Sequence, residues 1–166
     1  MKTPSLDQLK SLAKDRAKAH STYLKKLSKK TPKDLDYRIK EIHEEVFEEV
    51  DCLSCANCCK TTGPLFTSAD IQRISKHFKM KEAAFTDTYL RLDEDNDWVL
   101  KELPCPFLAH DNYCNIYDVR PKACREYPHT DRKKFHQIRS LTLKNTSICP
   151  AAFKVVERML ERIPIS

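Results

Sequence analysis

Cysteine is the residue that could do chemistry here: there are eight in a chain of 166 residues, and four of them, Cys52, Cys55, Cys58 and Cys59, fall within DCLSCANCCK at positions 51–60. A C-x2-C-x2-C spacing lets a tight loop aim successive sulfurs at one point, as zinc–thiolate or iron–sulfur binding requires. An isolated cysteine usually acts as a small buried hydrophobe. Three in register, with five more following, point to metal ligation instead. Side chains of successive residues diverge in extended backbone, so the adjacent Cys58 and Cys59 are not expected to share one tetrahedral ion. They serve two sites, or different atoms of a polynuclear cluster, and both alternatives need distant ligands. PCPFLAHDNYCNIYDVRPKACREYP supplies Cys105, Cys114 and Cys124, and SICPAAF supplies Cys149. Eight thiolates suit two tetrahedral zinc sites, or one [4Fe-4S] cluster plus a further ion. His110, His129 and His136 could stand in for a cysteine, but none is required.

Composition narrows the alternatives. The chain has a single glycine, Gly63, so it lacks G-x-G-x-x-G and Walker-type loops, which need close backbone approach or positive φ. The N-terminal MKTPSLDQLKSLAKDRAKAH carries no apolar signal stretch, and no segment reaches the ~20 apolar residues of a membrane span. The expectation is a cytoplasmic protein, where thiols stay reduced and clustered cysteines hold metal rather than disulfides.

These sulfurs need elements to position them. Leu6, Leu9, Ala13, Ala17, His20, Leu24 and Leu27 recur at spacings of three and four after Thr3-Pro4, predicting a first helix. Leu35, Ile39, Ile42, Val46 and Val50 predict a second, opened by Thr31-Pro32 with Asp34 as a capping-box acid. The two are expected to form a helical hairpin over 1–50, as an appendage to or part of one unit with a cysteine-cluster domain over 51–166. Thr67 or Ser68 caps a short helix carrying Ile71, Ile74 and Phe78 inward. Residues 81–88 add a turn or two, and YLRLDEDNDWVLKEL reads as a β-hairpin. Pro121 starts a short helix with Cys124 in its first turns, where the dipole favours a thiolate. Arg120 and Arg125 flank it as candidate donors to cofactor-bound sulfur. Cys149-Pro150 opens a closing helix with Phe153, Val156, Leu160 and Ile163 inward. The fold class is α+β: mostly helical, one short hairpin, an irregular metal-bound centre.

Charge is uneven. Residues 1–34 hold ten Lys or Arg against three Asp, a balance of +7 within a chain of net +6. The second helix carries Glu41, Glu44, Glu45, Glu48 and Glu49, so the basic helix reads as a solvated face partly neutralised by an acidic neighbour. Without interleaved aromatics for base stacking, nucleic acid is not an expected partner.

CLSCANCC, followed by CPFL, then CNIYDVRPKACREYP and a final CP, resembles the YkgJ-type cysteine-cluster proteins, or CxxCxxCC family, over roughly 52–150. The resemblance implies a small bacterial cytoplasmic domain that chelates zinc or iron. By motif position it points to Cys52, Cys55, Cys58, Cys59, Cys105, Cys114, Cys124 and Cys149 as ligands. Its implied role is structural for zinc, or electron transfer for an iron–sulfur cluster working with a redox partner. A related domain in flagellin lysine methylases raises the alternative of a metal-dependent protein-modifying enzyme. A metal-stapled interaction module whose basic helix meets an acidic partner or RNA is the other alternative.

Overall fold

The computed structural model describes residues 2–166. In chain order its helices are α1 (Leu6–Lys29), α2 (Leu35–Glu49), α3 (Cys52–Cys55), α4 (Asn57–Thr61), α5 (Ser68–His77), α6 (Glu82–Tyr89), α7 (Lys122–Glu126), α8 (Arg139–Thr146) and α9 (Pro150–Arg162). Strands β1 (Leu90–Leu92) and β2 (Trp98–Leu100) complete an α+β, mostly helical fold. The chain divides into two compact units, one of residues 1–51 with 128–166 and one of residues 52–127.

The first unit is built around α9. This helix is apolar at most positions and buries Ala151, Ala152, Phe153, Val155, Val156 and Met159. Both N-terminal helices and α8 pack on it; α2 makes its main contacts with α9, and α1 with α8 and then α9, rather than with each other. The glutamates of α2 are therefore not spent on the lysines of α1. Glu49 pairs with the buried Lys154, and with Arg158 at 2.6 Å; Glu45 pairs with Arg162 at 2.8 Å. A buried carboxylate, Glu157, accepts from Arg16 at 2.7 and 3.1 Å and from His20 Nε2 at 2.5 Å. Tyr23 donates to two carbonyls at the end of α9, those of Met159 and of the C-cap Ile163.

Several helix starts differ from the sequence reading. The N-cap of α1 is Ser5, two residues beyond Thr3, and its N–H donates to the Gln8 side chain. Thr31 turns back onto the Leu27 carbonyl, leaving Asp34 as the N-cap of α2. Helix α8 is legible in no apolar stripe because its inner face is polar. Thr142, Asn145 and Thr146 are buried there, with Asn145 donating to the Pro128 carbonyl at 3.1 Å.

The second unit is made of short pieces. The hairpin pairs Leu90 with Leu100 and Leu92 with Trp98. Its turn is closed by Asp93 Oδ1, which accepts from the N–H groups of Asp95 and Asp97. Phe66, Ile71, Ile74, Phe85, Leu90, Leu100, Phe107 and Ile116 form the apolar cluster, with Cys105 and Cys114 against its edge. Among the described residues, no helix is long and apolar enough to cross a membrane.

Candidate metal centre

The early quartet does not lie on an extended loop. Cys52–Cys55 and Asn57–Thr61 are helical turns, joined at Ala56, which adopts a left-handed φ of 47°. Cys58 and Cys59 thus sit on one helical turn rather than on opposite faces of a strand, and their side chains hydrogen-bond to each other. That bond, more than any other influence, lowers the Cys59 thiol to about 7 against the upward push of burial. Cys59 is thereby shifted toward the thiolate, whereas Cys105, Cys114 and Cys124 are shifted away from it.

Cys105 is carried to Cys59 by the backbone, its N–H donating to the Cys59 carbonyl at 2.8 Å. Its own sulfur accepts from the N–H groups of Phe107 and Leu108. Phe107 is fixed in turn among aromatic rings, with centroids 5.0 Å from Tyr89 and 5.6 Å from Phe78. The apolar cluster thereby anchors the turn that presents the sulfur. The Cys114 sulfur accepts from the Ile116 N–H, on a segment bridged back at Leu108. N–H groups aimed at sulfur favour the thiolate.

Cys124 comes from α7, and its placement depends on residues that the sequence reading passed over. Asp70, 1% exposed, accepts from Thr67 N and Oγ1, from Arg73 Nη2 at 2.7 Å and from the Lys122 N–H at 3.1 Å. Arg73 then donates to the carbonyls of Val119 and Arg120. Together they pin α5 to the start of α7. The Thr67-x-x-Asp70 capping box was the visible signal, but its long-range half was not. Burial raises the Asp70 carboxyl, yet the bonds from Arg73, Thr67 and Lys122 outweigh it and hold the group below its ordinary value.

Four sulfurs share one electrostatic field. Cys59, Cys105 and Cys114 each act on Cys124; Cys59 and Cys114 act on Cys105; and Cys59 acts on Cys114. Every pair in the set is coupled. Burial is the main influence on the last three, and repulsion from neighbouring thiolates adds to it, raising Cys105 to about 11 and Cys124 to about 12. Cys114 is raised for the same reasons. Arg120, its guanidinium 3.9 Å from the centre of the Tyr117 ring, works against this at both Cys114 and Cys124. Arg125 is exposed on α7 and does not figure among the influences on these cysteines. His110 is exposed. Cys149 belongs to the other unit, where it is the N-cap of α9 and its sulfur accepts from Ala152 N at 3.5 Å.

Among the described residues, no three Cys, His, Asp or Glu side chains are already drawn together closely enough to hold an ion. The donor set nonetheless fits zinc or iron: soft sulfur, partly shielded from water, N–H donors at two sulfurs, and mutual repulsion that a cation would relieve.

The fold is a small, mostly helical α+β one, and its half-buried thiols come from separate stretches of chain. The chain belongs to the CxxCxxCC family, whose model, described as "Putative zinc- or iron-chelating domain", matches residues 51–150. No curated protein and no solved structure matches the chain.

Proposed function

We propose that this protein chelates zinc or iron through clustered cysteines, with Cys59, Cys105, Cys114 and Cys124 forming a four-sulfur centre. The pairwise electrostatic coupling of those four thiols, contributed by three separate stretches, carries the reading. Cys52, Cys55 and Cys58 add donors on the adjoining turns, with Cys58 hydrogen-bonded to Cys59.

Four thiolates leave zinc no open position for a substrate, so the role is structural, or electron transfer if the centre holds iron or a [4Fe-4S] cluster. A bound metal would supply the positive charge that the thiolates lack and, as iron, a redox-active centre. The protein's own part is to hold the sulfurs. Phe107, Leu108 and Ile116 direct N–H groups at Cys105 and Cys114, Arg120 lends charge, and Asp70 with Arg73 fixes the segment leading to Cys124. The build of residues 52–127 favours a structural role, because strands of three residues and turns of four or five bury little on their own.

Anaerobic purification followed by metal analysis and visible absorption tests this reading. We expect at least one zinc or iron per chain, lost in Cys105→Ser; sulfide-dependent visible absorbance would identify the iron–sulfur form. A protein that carries neither metal, and takes up neither on reconstitution, would refute it.

A further inference from the structure

The lysines of α1 lack the counter-charges that the sequence appeared to provide. Lys10, Lys14, Lys18, Lys25 and Lys29 are exposed, and at about 100° per residue they fall within an arc of about 100° on one side of the helix. At 1.5 Å per residue this stripe runs about 29 Å. Among the described residues none of the five forms an ion pair, while Glu45 and Glu49 of α2 are taken by Lys154, Arg158 and Arg162. The stripe opens beside a groove of about 240 Å³ between α1 and α8, lined by Ser21, Lys25, Arg139 and Ser140 over a floor of Leu24 and Leu143. Two cations and two hydroxyls around a small hollow are the side chains that contact phosphate oxygens.

We infer that this face of the first unit binds the phosphate backbone of double-stranded nucleic acid without reading its sequence. The groove takes one phosphate and the lysine stripe tracks its neighbours. Charge complementarity selects this partner over others. Leu9, Ala13, Tyr23, Leu24 and Leu27 of α1 are buried within the unit, and Leu6 is the one large apolar side chain of the helix left exposed, too little to make a greasy face that enters a membrane interface. Between Lys10 and Lys29 the stripe holds no aromatic or aliphatic side chain, so it offers no anchor for a protein partner and no platform for stacking single-stranded bases. Binding by charge alone favours the densest charge available, and a duplex carries about one per 1.7 Å of axis. Glu45 and Glu49 of α2 do not neutralise α1, since they pair with α9, and binding a duplex backbone needs no interleaved aromatics.

Fluorescence anisotropy of a labelled mixed-sequence duplex, titrated with the full-length protein at several salt concentrations, tests the inference. For five released counterions, affinity should fall roughly 500-fold between 50 and 200 mM salt. Lys14→Glu/Lys18→Glu/Lys25→Glu should abolish binding with thermal stability and metal content unchanged, and Arg139→Gln should weaken it. The triple Lys→Arg variant should bind as the parent does, which separates charge from fold. Absence of binding at 50 mM salt would overturn the inference, as would binding insensitive to salt or to charge reversal. Equal or tighter binding to polyglutamate, to single strands or to anionic vesicles would also overturn it.

Discussion

The two units solve the problem of holding a polar centre in different ways. In the unit of residues 1–51 and 128–166, helices of 24, 15 and 8 residues surround the 13-residue α9, and its polar hub, Glu157, is enclosed by long-range apolar packing. In the unit of residues 52–127 the longest helix has 10 residues, the strands have three, and half-buried thiols complete the edge of the apolar cluster. Each has one buried carboxylate hub, Glu157 or Asp70. Helix length and packing can carry the first without help. The second has half-buried thiols where more apolar burial would otherwise be needed, and under the proposed function a metal would convert those sulfurs into cross-links. The proposed four-sulfur centre therefore falls in the part of the chain least able to fold by packing alone.

The sharpest way to break this comparison is to remove the metal. Binding free energy in small thiolate sites is largely folding free energy, about 10 kcal/mol or more. Hydrogen exchange after chelation should show protection lost across residues 52–127 and retained in α1, α2 and α9. Uniform loss, or none, would end the distinction.

The two carboxylate hubs give a finer contrast. Glu157→Gln and Asp70→Asn should each cost about 2 kcal/mol through lost charged hydrogen bonds, seen as reduced thermal stability. Asp70→Asn should also weaken metal binding, because it frees the segment before Cys124, whereas Glu157→Gln should leave metal content unchanged. Their acid dependence follows from protonation. Burial lowers His20, and its bond to Glu157 only partly offsets this. Its Nδ1 is buried with no partner among the described residues, which suits a neutral ring donating from Nε2. Burial raises Glu157, but bonds from Arg16 and His20 prevail and depress it. In both cases the unfolded chain binds more protons, so stability rises with pH. The first unit should weaken as pH falls below about 6.5 through His20, and further below about 4.3 through Glu157. The contribution of Asp70, the parent's margin over Asp70→Asn, should persist down to about pH 4. Urea melts of parent and variants between pH 3 and 8 would check these signs.

Arg120→Gln should have the smallest effect, roughly a tenfold loss of metal affinity, since the charge acts on Cys114 and Cys124 as a neighbour rather than a ligand. Competition with a chromophoric chelator would measure it; an unchanged affinity would mean that stacking on Tyr117 is the arginine's main role.

Elements with apolar periodicity were legible in the sequence: α1, α2, α5 and α9, the hairpin around Asp93–Asp97, and the Cys124 helix after Pro121. Helix α8 was not, because Thr142, Asn145 and Thr146 face inward and give no hydrophobic stripe. The turns at Cys52–Thr61 read as a loop because one left-handed residue, Ala56, splits them into pieces too short for periodicity. The spacing of the cysteines announced sulfur chemistry, but which sulfurs meet depends on contacts far apart in sequence. Asp70 with Lys122 is one such contact, and the Cys105 N–H with the Cys59 carbonyl is another. The pairing of α2 glutamates with α9 was hidden for the same reason: charge pattern names the signs, and tertiary packing chooses the partners.

X-ray absorption at the zinc or iron edge of the anaerobically purified protein tests the four-sulfur centre most directly. We expect a first shell dominated by sulfur at about 2.3 Å, degraded by Cys59→Ser, Cys105→Ser, Cys114→Ser or Cys124→Ser alike. A shell made mainly of nitrogen and oxygen, or one indifferent to all four substitutions, would contradict the account.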